Sequence, residues 1–330
     1  MIKLAIDMMG SDKGPGALAA GLRDFLTANQ DVEAVVFGDR ERLDSLLAGV
    51  ERVSIVAAAQ VVPMEVSPLA FLRLKESSMY LAIKAAADKT QGFAGVVTAG
   101  STGGFVTGCT LLLKNAPGVL RAGLAAPFVT AVPGKQAVIL DIGASNQNTA
   151  DELVGFAKMG AVYAHTVLGV QLPKVYLLSN GAEEGKGLAE SVEAYRKLKA
   201  SGFAGFSGNC ESRDALDGNR DVVVTSGYPG NIMLKSFEGT AALMNGLLKK
   251  AFKKNLMTKL GYLMAKPGLK EMKRTLDYRA TGGAILLGVS NVAVKAHGSS
   301  DGYAFYNALH VAYAMAHAGI VAAIAKELAQ

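Results

Sequence analysis

Short apolar runs alternate with longer helical patterns along most of this chain, and this alternation limits the folds open to it. The runs are rich in Val, Ile and Ala and end in turns that contain Gly or Asp. Such runs, separated by helices, are typical of βαβ units whose strands are buried on both faces of a parallel sheet. We predict strands at residues 3–8, 34–37, 54–56, 95–98, 136–140, 174–178, 221–225 and 292–295, and helices at residues 16–29, 41–48, 78–89, 150–168, 187–201 and 231–252.

The alternation predicts the fold class: an α/β protein whose mostly parallel sheet is covered by helices on both faces. The chain has 330 residues, half of them hydrophobic, which is enough for a large core. No low-complexity linker or fixed-period repeat divides it, so we predict a single domain over residues 1–330. The clearest internal departure is residues 240–280, where helical and basic sequence replaces the alternation.

Several function classes fit the composition poorly. The two cysteines, Cys109 and Cys210, lie far apart and form no CxxC pair, so we expect neither a disulfide framework nor a zinc site. The first apolar run is interrupted by Lys3 and Asp7, unlike a signal peptide. Residues 311–325 are the most lipid-like but fall short of the roughly 20 residues that span a bilayer. We predict a buried core or dimer helix there, in a cytoplasmic protein.

The turns after the predicted strands share one chemical character. They combine glycine with hydroxyls or amides, often with a lysine, where a helix is about to begin. Glycine lets backbone approach a ligand closely, and the free N–H groups of a helix start favour an anion. Ligands of such sheets bind beyond the carboxyl ends of the strands. We therefore predict an anion-binding cleft formed by DMMGSDKGPG (7–16), TAGSTGG (98–104), LDIGASNQN (140–148), LLSNGAEEGKG (177–187), VVTSGYPGNIMLK (223–235) and VKAHGSSDG (294–302).

Each turn taken alone also has an ordinary explanation. Asp7, Asp141 and Asn231 could cap helices, a lysine could be solvated, and His297 could be a structural histidine. Capping, however, does not require lysine and histidine beside so many of the turns. Competing motifs are missing: the chain has no GxGxxG after the first strand, no GxxxxGK[ST], no HExxH and no GxSxG. Cys109 lies on an apolar stretch and is expected in the core rather than as a nucleophile.

Taken in this order, the six turns resemble those of the phosphate acyltransferases of bacterial phospholipid synthesis, the PlsX type. The resemblance extends from residue 2 to about residue 325, and the block GGAILLGVSNVAVKAHGSSD is the most discriminating. Departures concern small polar residues: Ser11, Ser101 and Ser145 stand where the family pattern has Gly, Asn and Asn. SGYPGN (226–231) replaces the family's DGFTGN. These exchanges put individual phosphate and acyl contacts in question, but not the reaction type.

The resemblance implies transfer of a long-chain acyl group from acyl carrier protein to inorganic phosphate. A membrane glycerol-3-phosphate acyltransferase would consume the acyl phosphate. The implied fold is the three-layer α/β/α sandwich of isocitrate and isopropylmalate dehydrogenases, working as a homodimer without nucleotide cofactor or metal. Lys186, His297 and Asn231 are the implied catalytic residues. The expected phosphate- and substrate-binding residues are Asp7, Gly10, Asp12, Ser101, Thr102, Gly103, Gly104, Asp141, Asn180, Gly181, Gly230, Lys235, Lys295, Gly298 and Ser299.

Residues 240–280 are predicted to form a protruding, amphipathic, basic helical segment. Between residues 249 and 274 there are nine basic residues and one acid. Three interpretations compete: a helix packed on its own body with a solvated lysine face, a contact with an anionic membrane, or a docking face for acidic acyl carrier protein. Nucleic acid is disfavoured because few aromatic side chains interleave with the basic ones. We favour peripheral membrane attachment, with the expected membrane or carrier contacts at Lys253, Lys254, Leu256, Leu260 and Leu263.

Three alternative functions remain open at this level. The first is a short-chain phosphate acetyl- or butyryltransferase that uses acyl-CoA. The second is an NAD(P)-dependent decarboxylating dehydrogenase, which would need clustered metal-binding aspartates that this sequence scatters over different turns. The third is a non-catalytic membrane scaffold for lipid enzymes, which would leave the six turns without a use. Fold alone does not separate these functions.

Overall fold

The structure, a computed structural model, describes residues 1–275 and 277–329. Its strands are β1 (Ile2–Asp7), β2 (Val32–Gly38), β3 (Val53–Ala57), β4 (Gly95–Thr98), β5 (Gly123–Val129), β6 (Gln136–Leu140), β7 (Val175–Leu178), β8 (Phe206–Cys210), β9 (Val222–Val224), β10 (Ala284–Leu287) and β11 (Val292–Lys295). Its α-helices are α1 (Pro15–Ala28), α2 (Arg40–Leu46), α3 (Pro68–Phe71), α4 (Ser78–Ala87), α5 (Thr102–Gly108), α6 (Ala150–Thr166), α7 (Ala189–Ala200), α8 (Gly227–Lys253), α9 (Leu256–Thr275), α10 (Gly302–His317) and α11 (Ile320–Leu328).

All strands join one 11-stranded sheet in the order β3-β2-β1-β4-β11-β10-β5-β6-β9-β7-β8. The strands β3, β2, β1, β4 and β11 run parallel to one another, and so do β6, β9, β7 and β8. Three antiparallel pairings, β11 with β10, β10 with β5 and β5 with β6, join the two sets. The two parallel halves therefore run in opposite directions.

Helices cover both faces of the sheet, because alternate side chains of each buried strand point to opposite sides. In β1, Leu4 and Ile6 belong to one apolar cluster, which also contains side chains of α1, α6, α10 and α11. Ala5 belongs to the other cluster, which contains side chains of α4 and α5. The predicted three-layer α/β/α architecture with a mostly parallel sheet is therefore confirmed.

Eight of the strands match predicted positions, whereas β5, β8 and β10 have no counterpart in the prediction. β5 (GLAAPFV) contains proline and alanine, which weaken a strand signal, and it pairs antiparallel on both sides. β8 (FSGNC) is an edge strand in which Ser, Gly and Asn interrupt the apolar run. A search for apolar runs in βαβ units does not detect strands of these two kinds.

α8 and α9 form a helical hairpin that is mostly exposed. Only the first turns of α8 are anchored, through buried Gly227, Gly230 and Met233. From Gly239 to Glu271 nearly every described side chain is exposed. The hairpin is closed at its turn by an edge-on contact between the rings of Phe252 and Tyr262, whose centroids lie 5.4 Å apart.

The Ala-rich C-terminal segment is divided rather than continuous. Gly319, with φ 60°, ends α10 and begins α11, so residues 311–325 lie on two helices. Both helices contribute side chains to the core, among them Phe305, Leu309 and Ile324. Within the described residues no single helix has the length and hydropathy to cross a bilayer; α10 and α11 reach these values only as a pair bent by 54°.

Candidate active site

Three of the predicted turns meet at the carboxyl ends of β1, β4 and β11, which are parallel neighbours. Gly10 and Gly100 touch backbone to backbone: a Cβ on Gly10 would lie 2.5 Å from Gly100 Cα. The turn after β1 is tied to the turn after β11, because Ser11 Oγ and the Asp12 amide both donate to the Gly298 carbonyl, at 3.1 and 2.9 Å. Glycine at position 10 is therefore required for the turns to meet.

The Asp7 carboxylate orders the turns after β1 and β4. It is buried and accepts hydrogen bonds from Thr98 Oγ1 (2.6 Å) and from the Met9 amide (3.1 Å). Thr98 Oγ1 in turn accepts from the Gly100 amide at 2.9 Å. Burial raises the pKa of the Asp7 carboxyl. Because it is buried and hydrogen-bonded to two of the turns, Asp7 is suited to shaping the turns rather than contacting substrate.

The predicted phosphate turn caps α5. Ser101 is buried, and its Oγ accepts from the Gly104 amide at 3.3 Å. The amides of Thr102 and Gly103 donate no hydrogen bond within the described residues, as expected for the first turn of a helix. These two N–H groups and the Ser101 hydroxyl hydrogen are therefore available to an anion, whereas the Gly104 amide is already engaged.

His297 lies on the turn after β11, beside that helix start. Its Nδ1 lies 2.8 Å from Ser299 Oγ and accepts from the Ser299 amide at 3.2 Å. Because an N–H donates to Nδ1, the proton of the neutral ring is on Nε2. Lost hydration and the positive charge of Lys295 lower the pKa of His297. At neutral pH the ring is thus a neutral donor through Nε2.

Lys295 is the most unusual charge of the site. Its residue is only 8 % exposed, and within the described part of the chain its ammonium forms neither an ion pair nor a hydrogen bond to protein. Burial, together with the charge of Lys235, lowers the pKa of Lys295 from 10.5 to about 8. A buried cation without a partner is costly. A bound anion would offset this cost.

α8 brings the second half of the molecule to this point. Lys235 and Glu238 pair at 2.7 Å, and both act electrostatically on Lys295 and His297, as does Asp12. The first turns of α8 thus form one wall of a cleft, and the ends of β4 and β11 form the other. Lys235 lies on the first wall, and Lys295 and the neutral His297 lie on the second.

Asp141 follows β6. It orders a loop in the half-sheet of β6, β9, β7 and β8, as Asp7 orders turns in the other half-sheet. Its Oδ1 accepts from the amides of Leu124, Gly143 and Ala144 at 2.8–3.0 Å. Its Oδ2 accepts from the amide and hydroxyl of Ser145 at 3.0 and 2.8 Å. All its acceptor positions are occupied by protein, so it orders the loop on which α8 rests.

α8 is packed against this loop at Gly230, where a Cβ would lie 1.8 Å from the Asp141 carbonyl oxygen. The Gly230 amide donates to the Ser226 carbonyl at 3.0 Å and is not available to a substrate. Asn231 is exposed beside Gly143 and stays a predicted catalytic residue.

The turn holding Asn180, Gly181 and Lys186 follows β7, two strands from β6, or roughly 10 Å across the sheet. It lies at the same edge as the Asp141 loop and the start of α8. Lys186 is exposed. Its side chain lies near Gly181, and its amide donates to the Glu183 carbonyl, both within its own turn. The structure brings Lys235, Lys295 and His297 together, but it leaves Lys186 at the border of the site.

Some residues of the site were not among the predicted site residues. Thr98 and Asn148 lie in the predicted turns but were given no role; Asn148 Oδ1 lies 2.8 Å from Ser145 Oγ, at the border of the Asp141 network. Glu238 lies in a helix, where its approach to Lys235 follows only from i,i+3 spacing. Ser300, in the motif itself, is buried, and its hydroxyl has no partner within the described residues. Among those residues no cluster of His, Cys, Asp or Glu has a geometry for holding a metal ion.

The fold is that of an α/β protein in which two opposed half-sheets meet. Comparison with solved structures supports this fold: a phosphotransacetylase from Streptococcus pyogenes aligns with a TM-score of 0.62 at 16% identity, covering 96% of this chain and 94% of that chain. The EutD phosphotransacetylase from Staphylococcus aureus gives 0.59 at 16% identity, covering 96% and 94%. An isocitrate dehydrogenase from Methylococcus capsulatus is a more distant neighbour, with a TM-score of 0.48 at 13% identity, covering 98% and 88%.

Sequence comparison identifies the family. The model described as "Fatty acid synthesis protein" matches residues 2–323. The phosphate acyltransferase of Exiguobacterium sp. is 38% identical over 322 residues, covering 97% of both chains. That of Streptococcus agalactiae is 39% identical over 312 residues, covering 94% of this chain and 93% of the relative. The chain belongs to the PlsX-type phosphate acyltransferase family and is an acyltransferase.

Proposed function

We propose that this acyltransferase transfers a long-chain fatty acyl group from acyl carrier protein to inorganic phosphate and releases acyl phosphate for phospholipid synthesis. The observation that carries the proposal is the buried, unpaired ammonium of Lys295, which lies beside His297 and opposite Lys235 of α8. Such a site favours a small, highly charged anion. Together with family membership, this supports phosphate as the acyl acceptor.

The reaction requires little chemistry from the protein itself. A phosphate oxygen attacks the thioester carbonyl carbon, the C–O bond forms, the C–S bond breaks, and the electron pair leaves with sulfur. Phosphate is already anionic at neutral pH, and a thiol with a pKa near ~8.5 leaves readily as thiolate. Holding the reactants together supplies ~7–11 kcal/mol of the barrier. Each positioned donor to the oxyanion supplies roughly 3–4 kcal/mol more.

The roles follow from the geometry of the cleft. Lys295 and Lys235 hold phosphate with the free amides of Thr102 and Gly103. The neutral His297 donates a hydrogen bond from its Nε2–H to the departing thiolate, which leaves as the anion and takes its proton from water, and the Ser299 amide keeps Nδ1 unprotonated. Asn231 faces the carbonyl oxygen. Lys186 reaches the site from the turn after β7 when the donor is bound.

The hairpin of α8 and α9 supports a peripheral attachment to an anionic membrane, where a membrane glycerol-3-phosphate acyltransferase would receive the product. Leu256, Leu260 and Leu263 are exposed on α9, and Lys253 and Lys254 are exposed at the hairpin turn. Apolar side chains in lipid and lysines above anionic headgroups form the usual interfacial arrangement. Acyl carrier protein, which is acidic, docks on the same basic shoulder, and the enzyme acts as a homodimer in the cytoplasm.

The test is production of acyl phosphate. Purified protein is mixed with palmitoyl-ACP and inorganic phosphate, and acyl phosphate is trapped with hydroxylamine; palmitoyl-CoA and acetyl-CoA are tested in parallel. We expect phosphate-dependent hydroxamate from palmitoyl-ACP. His297→Ala and Lys186→Ala each lower turnover by at least ~10²-fold, as for positioned acid–base groups. A variant with unchanged turnover removes that residue from the scheme.

The same assay separates the alternatives. The fold shared with phosphotransacetylases makes a short-chain, CoA-dependent transferase the second candidate. Product from acetyl-CoA alone would move the protein to that class. An absence of product from every donor would overturn the proposal and favour a non-catalytic scaffold at the membrane.

A further inference from the structure

A loop that the sequence analysis did not single out lies against the site. It joins β3 to α4 and comprises residues 58–77, here called the β3–α4 loop. Its base is closed where the Gln60 amide donates to Glu76 O (3.3 Å) and the Ser78 amide donates to Gln60 O (3.1 Å). Val62 and Phe71 are buried in the apolar cluster beneath it. The loop is therefore a fixed part of the molecule.

The loop contacts two of the turns that form the cleft. Side-chain carbons of Val62, Val66 and Phe71 each lie 3.2 Å from the position of a Cβ on Gly104, in the first turn of α5. Met64 Cε lies 2.5 Å from the position of a Cβ on Gly298, next to His297. The loop thus lies over the space between the phosphate turn and the catalytic histidine.

The loop exposes the charged residues Glu65, Arg73, Lys75 and Glu76, and it also exposes three large apolar side chains. Val61 is 46% exposed, Met64 42% and Leu69 74%. Exposed apolar side chains that are grouped in one place are typical of a binding surface. Glu65 is the only charged residue among positions 58–72. The apolar surface is continuous with the anion cleft through Met64, so a ligand with a charged or polar head and an apolar tail fits both.

We propose that the apolar face of the β3–α4 loop, formed by Val61, Met64 and Leu69, binds the acyl chain of the donor next to the thioester and sets the preference for long chains. The inference rests on the proposed function, since it names the part of that site that reads the substrate's tail. Methylenes buried against this face add binding energy that a two-carbon acyl group does not gain. Positioned binding of this kind raises kcat/KM for long-chain donors selectively.

The test compares palmitoyl-ACP with butyryl-ACP in steady-state assays. In Met64→Glu and Leu69→Glu, we expect kcat/KM for palmitoyl-ACP to fall by at least about tenfold, with little change for butyryl-ACP or in KM for phosphate. Met64→Leu, which restores an apolar side chain, retains the wild-type ratio. Leu172→Glu is the matched control, because Leu172 is 67% exposed before β7 and away from the cleft; its ratio stays that of the wild type.

Each remaining outcome overturns the inference. Equal losses for both donors mean that the loop has only a structural role, which circular dichroism would show as a shifted melting temperature. An unchanged ratio means that the chain binds elsewhere. If a loop variant changes only the sedimentation coefficient, the apolar face contacts a second copy of this chain and not the acyl chain. A wild-type enzyme that forms no acyl phosphate overturns the proposed function as well, which distinguishes that failure from the others.

Discussion

At the scale of single residues, the burial of the Lys295 ammonium lowers the stability of the folded protein, and a bound anion would offset this loss. The folded state lowers the pKa of Lys295 from 10.5 to about 8, which disfavours its charged form by about 3 kcal/mol at neutral pH. Between pH 8 and pH 10.5 the unfolded chain binds more protons at this residue than the folded chain does. The contribution of Lys295 therefore makes the protein more stable as the pH rises through this range.

Replacing Lys295 by methionine is expected to stabilise the protein while inactivating it. The free energy of unfolding at pH 7 rises by up to about 3 kcal/mol, because the variant buries no charge. The gain disappears near pH 10.5, where the lysine of the wild type is neutral in both states. Urea denaturation at the two pH values measures the difference. A variant that is less stable than the wild type at pH 7 would show that Lys295 is structural.

The same titration predicts the pH dependence of phosphate binding. Lys295 is charged below a pKa of about 8 in the free enzyme, so the KM for phosphate rises above that pH. Steady-state kinetics between pH 6.5 and 9.5 measure it. Lys295→Arg, which stays charged throughout, removes the rise. A KM that is constant across the range in the wild type contradicts a phosphate role for Lys295.

Part of this residue-scale description was predictable from the sequence. Asp7 and Asp141 could be expected to order turns, because an aspartate before a glycine turn commonly accepts backbone amides. The isolation of Lys295 was not predictable. Whether a buried lysine has a partner depends on Lys235 and Glu238, which lie about sixty residues away in the sequence and reach it only through the direction of α8.

At the scale of elements, the start of α8 is placed by a single glycine. Gly230→Ala would bring a Cβ to 1.8 Å from the Asp141 carbonyl oxygen, so the helix must shift. We expect a loss of about 1–3 kcal/mol in the free energy of unfolding, as for other overpacked sites, together with reduced turnover.

The same helix offers a matched control for this prediction. A Cβ on Gly239 meets no atom within 4 Å. Gly239→Ala should therefore raise stability by about 0.5–1 kcal/mol, because alanine is the better helix former. Thermal denaturation of both variants tests the pair. Equal effects of the two substitutions would contradict the packing argument.

The sequence predicted some strands and missed others, and the physical reason differs between them. β1 and β11 are short apolar runs that end in glycine or polar turns, so periodicity identifies them. β10 (AILL) is equally apolar, but it lies beside another apolar run and pairs antiparallel, so the sequence shows no separate unit. The β3–α4 loop lacks any periodic signal, since its role comes from what it contacts.

At the scale of the whole molecule, positive charge is concentrated on the hairpin of α8 and α9. Residues 249–274 hold nine basic residues and one acid, whereas the formal charge of the full chain is only +6. The rest of the chain is therefore slightly negative, and an anionic surface attracts the hairpin while repelling the body. Such attraction weakens with salt, since the Debye length is about 8 Å at physiological ionic strength.

Liposome flotation tests this orientation. The wild type should float with vesicles that contain anionic phospholipid, and less so at high salt or with neutral vesicles. Leu260→Glu/Leu263→Glu should abolish flotation without lowering thermal stability, because both side chains are exposed. Leu172→Glu/Leu188→Glu, exposed elsewhere, is the control and should float normally. Equal flotation of all three proteins would exclude α9 as the membrane contact.

The arrangement of the whole molecule was the least predictable level. The turns were expected to gather at the carboxyl ends of parallel strands, and within each half-sheet they do. That the two halves run in opposite directions, joined through β10 and β5, follows from strand order, which hydrophobic periodicity does not contain. The cleft between the halves depends on this order.

The position of β11 has a consequence for how the protein is made. β11 fills the place between β4 and β10, although almost two hundred residues separate it from β4 in the chain. While the protein emerges from the ribosome, the edge of β4 stays unpaired until residues 292–295 arrive. Unpaired strand edges invite pairing with other chains, so nascent molecules depend on rapid completion or on chaperones. Lys295 ends that last strand and His297 follows it, so the proposed anion site is completed only when synthesis is nearly finished.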